Sequence, residues 1–111
     1  MAKMPNLQGP DRDKPVCFDP EKNLFITIDD IFDKKATITP IDKLTEEQQK
    51  KLVVERLRRG ADFTEQAISG PPCTRDEVVE HIEKDSEYGQ MRTQVELSYL
   101  REFLKQIEDE L

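Results

Sequence analysis

From Tyr88 to Leu111 the chain carries two apolar stripes that one straight helix cannot turn toward a single surface. At 100° per residue, Tyr88, Met91, Val95 and Tyr99 fall within about 80° of one another. Leu97, Leu100, Phe103, Leu104, Ile107 and Leu111 occupy another arc about 120° wide, its centre displaced by about 140°. The distal set steps through 97, 100, 104, 107 and 111, the alternation of three and four that marks a coiled-coil seam. The expectation is that the first stripe packs on the parent domain and the distal six residues bind a partner. That partner is a protein or a second copy of the chain.

A chain of 111 residues fits one domain and supports one modest core. Hydrophobic residues make up 35%, aromatics 6% and charged residues 37%, so the surface is heavily solvated. Residues 1–14 carry Pro5, Gly9 and Pro10 among charges and read as a flexible N-terminal arm. Residues 15–111 read as a single α+β domain, with a C-terminal helix over 89–111 as its interaction element.

Val16 and Phe18 lead into the turn-rich Asp19–Asn23, after which Leu24, Ile26 and Ile28 alternate with Phe25, Thr27 and Asp29. That period of two predicts an antiparallel hairpin. Ala36–Thr39 extends it to a three-stranded meander, stopped at Pro40. About four helices follow. Thr45 caps the first, with Glu46 and Glu47 at its positive end and Gly60 beyond its last turn. Asp62-Phe63-Thr64-Glu65 predicts a short helix to residue 69, and Thr74-Arg75-Asp76-Glu77 opens another.

The net charge of −7 sits in the C-terminal third, where residues 76–111 hold 11 acids against four bases. Such a field repels nucleic acid and anionic membranes and favours basic partners. No apolar run approaches the roughly 20 residues that a membrane span requires. Cys17 and Cys73 stand far apart in no paired motif, and the polar N-terminus does not resemble an export signal. Reduced thiols and a cytoplasmic location are the expectation.

Candidate chemistry is sparse. Cys73 precedes a helix N-terminus beside Arg75, which lowers a thiol pKa, but Asp76 and Glu77 oppose the shift and no base is evident. His81, the only histidine, is a candidate general base or pH switch. Asp29, Asp30 and Asp33 lack the glycine and the twelfth-position glutamate of a calcium loop. Lys50, Lys51, Arg56, Arg58 and Arg59 form a basic cluster without an aromatic platform, and the would-be reading helix 63–69 has no basic residue with which to read DNA. No metal or cofactor site is expected, and no catalytic residue. The reading is a non-catalytic protein–protein interaction module, such as a small acidic subunit, adaptor or chaperone-like partner. The alternatives are a small enzyme or redox component using Cys73 or His81, and an acidic inhibitor that imitates nucleic acid.

Overall fold

The computed structural model describes residues 10–66 and 70–110. It is an α+β fold, an antiparallel hairpin followed among the described residues by four helices, the last one long. The hairpin joins β1 (Pro15–Asp19) to β2 (Leu24–Thr27). Its turn forms because the Asp19 carboxylate accepts from the backbone N–H groups of Glu21 and Lys22, at 3.0 and 3.2 Å, while Asn23 takes a left-handed φ of 55°. The register slips between Pro15 and Cys17, so β1 carries one extra residue. Pro15 to Phe18 are all buried rather than alternating. Helices α3 (Glu46–Arg59) and α5 (Glu87–Glu110) pack on β1, and the backbone of Thr39 hydrogen-bonds the Cys17 thiol.

Three expectations change. First, β2 stops at Thr27, and Ile28–Lys34 forms α2 rather than extending the strand. Thr27 Oγ1 accepts from the Asp30 N–H at 3.3 Å, and the Asp30 carboxylate accepts from the Thr27 N–H at 3.0 Å. This capping box uses aspartate where glutamate is usual, and it nucleates a helix out of a β-like pattern. Second, Ala36–Thr39 is no third strand: residues 35–40 have no regular structure, although Ala36 and Ile38 pack against the core. The hairpin is two-stranded, and helices complete its burial. Third, the short helix expected over 63–69 is absent from 63–66, and 67–69 lie outside the described residues. There β3 (Thr64–Glu65) pairs antiparallel with β4 (Cys73–Thr74). The Asp62 carboxylate binds the next residue's N–H instead of one three positions on, so it starts no helix.

Two other helices begin as the sequence implies. Thr45 with Gln48 caps α3, and Thr74 with Glu77 caps α4 (Arg75–Glu83), each pair forming both reciprocal bonds. Between α4 and α5 the chain turns at Asp85 (φ 56°), and Ser86 Oγ accepts from the Gly89 N–H at 3.0 Å to cap α5. Gly89 is buried within α5, and a Cβ placed there would lie 2.1 Å from the His81 carbonyl oxygen. The missing side chain lets α5 cross the end of α4 at backbone contact.

Of the segment 1–14 expected as an arm, residues 10–13 are described as helix. Helix α1 (Pro10–Asp13) is docked: Arg12 pairs with Asp29 at 2.7 Å, and Arg59 donates to the Asp13 carbonyl at 3.4 Å. Residues 1–9 lie outside the described residues. The core joins Phe18 and Cys17 of the hairpin, Ile28 and Ile31 of α2, Leu52 and Val53 of α3, Val78 and Ile82 of α4, and the inner face of α5. Among the described residues no helix is long and apolar enough to cross a membrane.

Candidate interaction surface

The structure reverses the two stripes of α5. Leu97 and Leu100 are 0% exposed, Ile107 is 1% and Leu104 is 4%, all within the domain's own core. Phe103 is half-buried against that core, and Leu111 lies outside the described residues. Of the residues expected to bind a partner, Leu97, Leu100, Leu104 and Ile107 are thus covered by β1, α3, α4 and the turn at Ile41–Lys43. The physical reason is the short connection through Asp85. It folds α5 back along α4, and Gly89 seats it so closely that the leucine face turns inward along its whole length.

The stripe expected to pack inward faces out. Met91 is 37% exposed, Tyr99 52% and Val95 55%. They stand four residues apart on one line along the helix. Tyr88 and Phe103, both half-buried, flank them. Tyr99 and Phe103 stack with ring centroids 5.8 Å apart and planes 14° apart. The Arg56 guanidinium lies 5.6 Å from the Tyr99 ring centroid. The aromatic end of the line is therefore held in place on an otherwise polar surface. Among the described residues, Leu24 near the hairpin turn is the one large exposed apolar residue outside α5.

Along one border of this line runs a chain of charges. Arg56 is 5% exposed. Its Nε donates to Glu96 at 2.9 Å, and its Nη1 donates to the Pro15 carbonyl at 2.8 Å. Arg92 donates to the other Glu96 oxygen at 2.8 Å and to Glu65 at 2.9 Å. Glu65 also hydrogen-bonds Tyr88, and burial together with that carboxylate pushes the Tyr88 hydroxyl up to about 12. Two cations face two anions, so the chain is neutral. Burial disfavours the Glu96 carboxylate, but Arg92 and Arg56 outweigh it, and its pKa lies below the ordinary glutamate value. The network fastens α5 to β1, α3 and β3 (the sequence placed Arg56 in a basic cluster on one helix). The Arg92–Glu96 spacing of four was legible in the sequence, whereas the partnership with Arg56 was not.

The other candidates take structural places. Cys17 and Cys73 are buried, unpaired thiols. Burial pushes Cys17 up to about 11. His81 Nδ1 lies 2.8 Å from Ser86 Oγ, and its ring meets Tyr88 edge-on at 5.3 Å. The Ser86 hydroxyl is already engaged as the α5 cap, so this contact stabilises the α4–α5 turn. Asp29 and Asp30 serve Arg12 and the α2 cap, and no group of three metal-ligating side chains forms among the described residues. Of the basic cluster, Lys50 pairs with Asp85, Arg58 with Glu83 and Arg59 with Glu55, while Lys51 lies over the Phe18 and Phe25 rings. Those pairs also occupy part of the C-terminal acidic excess. Two shallow hollows of about 340 and 350 Å³ lie along α3 and α4, and neither is lined by Cys73 or His81. No protein-family model, curated protein or solved structure matches this chain.

Proposed function

We propose that this chain is a non-catalytic protein–protein interaction module whose contact face is the outer surface of α5. The observation that carries this reading is the exposed line Met91, Val95 and Tyr99 on a helix whose opposite face is fully used by the core. Apolar side chains aligned on a rigid element mark interaction sites, whereas single scattered ones do not. The neutral Arg56–Glu96–Arg92–Glu65 chain supports the same reading, because it fixes the helix and gives the line a polar border. The leucine stripe Leu97, Leu100, Leu104 and Ile107 takes no part. It belongs to the core.

A photo-crosslinking side chain at Val95 tests the reading in the native cell, with Lys22 in the hairpin turn as the control. A discrete adduct from position 95 and none from position 22 is the expected result. Absence of any adduct from position 95 would remove the outer face of α5 as a contact surface.

A further inference from the structure

The exposed line on α5 is evenly spaced, an arrangement that a two-fold pairing can use. Val95 lies at the centre, with Met91 four residues before it and Tyr99 four residues after. In an antiparallel pairing about a two-fold axis, residues equally far from the centre on opposite sides meet. Val95 would then meet its own copy, and each Met91 would lie against the other copy's Tyr99, a sulfur–aromatic contact.

Two of the flanking charges fit the same symmetry. Glu87 precedes Val95 by eight residues and Lys105 follows it by ten. Eighteen residues make about five helical turns, so Glu87 and Lys105 project from the same flank of α5, on the order of 27 Å apart along its axis. Both are exposed, and neither has an ion-pair partner among the described residues. Arg92, Glu96 and Arg101 on the same helix are already paired within the chain, and exposed Glu102, about 20° from Val95 around the helix, would face the Tyr88 end of the other copy. A two-fold pairing centred within one residue of Val95 sets Glu87 of each copy against Lys105 of the other, twice. A uniformly basic partner would leave Lys105 opposed, and a uniformly acidic one would oppose Glu87. A second copy satisfies both.

We propose that the occupant of the outer face of α5 is a second copy of this chain, paired antiparallel about Val95. This rests on the interaction-module reading and names its partner. A strip of this length and one helix width falls below the roughly 1,200–2,000 Å² that stable interfaces bury. The assembly is therefore a weak, concentration-dependent dimer rather than an obligate one.

Sedimentation equilibrium of the full chain tests it. The apparent mass rises with concentration from 12.9 kDa toward twice that value. Val95→Glu places two carboxylates on the axis and holds the chain monomeric, with its circular dichroism unchanged. Glu87→Lys and Lys105→Glu each weaken association several-fold, and the two combined restore it, because only the copy-to-copy pair is re-formed. A monomer at every concentration overturns the proposal, as does a dimer indifferent to Val95→Glu or a double swap that fails to restore pairing. If the chain stays monomeric while Val95 still crosslinks to a different protein in cells, self-association falls and the interaction-module reading stands.

Discussion

Gly89 decides how α4 and α5 meet, and the sign of its effect is opposite to its reputation in helices. Replacing a glycine inside a helix by alanine ordinarily stabilises, by up to about 1 kcal/mol in the interior and less in the first turn, where Gly89 sits. Here the new methyl would meet the His81 carbonyl at 2.1 Å, a backbone atom that cannot rotate aside. Gly89→Ala is expected to lower stability by roughly 2 kcal/mol or more, as overpacking does. Urea denaturation measures it, and a neutral or stabilising result would mean that the helices cross less closely. At Glu96 the issue is charge. Its pKa is depressed in the fold, so its stabilisation is fully present above the unfolded glutamate value of about 4.3 and is lost as pH falls through the folded value. Glu96→Gln leaves Arg56 buried without its anion and should cost roughly 3 kcal/mol at neutral pH. That deficit narrows as the solution is acidified below the glutamate range. Parallel denaturation of both proteins at neutral and acidic pH checks it, and a pH-independent gap would show that packing rather than charge is at stake.

At the scale of elements, α5 is where sequence pattern and structure part most clearly. The 3-4 spacing of its leucines reads equally well as a coiled-coil seam or as the inner face of a bundle helix, because both bury one stripe of a 3.6-residue period. Leu100→Glu with Leu104→Glu places two carboxylates where the wild-type side chains are 0% and 4% exposed. Unpaired buried charges are among the most destabilising changes. The double variant is expected to lose its folded circular dichroism and cooperative transition. A folded, soluble double variant would return those leucines to the role of an exposed seam. Helix α2 shows a related ambiguity in short form. Leu24, Ile26 and Ile28 alternate as a strand should, yet one capping pair, Thr27 with Asp30, converts the last of them into the first residue of a helix.

For the whole molecule, one core joins the hairpin to α2–α5, and the Arg56 network ties β1, α3, α5 and β3 together. A chain of this size with shared contacts should unfold as a unit. Far-ultraviolet circular dichroism of the helices and methyl resonances of Ile26 and Val16 in the hairpin are expected to change at the same denaturant concentration. A hairpin that melts first would show that the helices are stable without it. The thiols belong to the same core. With Cys17 fully buried and pushed up to about 11, alkylation of the native protein at neutral pH should be slow and should become rapid only in denaturant.

The sequence by itself determined what depends on neighbours along the chain. The α+β class, the first hairpin with its Asp19 turn, and the Thr45 and Thr74 caps are all set within a few residues by hydrogen bonds that each segment makes to itself. The existence of two apolar stripes on the last helix was equally legible, since helical spacing alone fixes it. Which stripe faces inward was not. That choice depends on the α4–α5 turn at Asp85, on the backbone contact at Gly89, and on Arg56 reaching from α3 to Glu96, contacts between residues up to 40 positions apart. Both stripes satisfy the same period, so periodicity cannot rank them. Only the tertiary structure, by covering the leucines and leaving Met91, Val95 and Tyr99 outside, decided which face of the helix is core and which is surface.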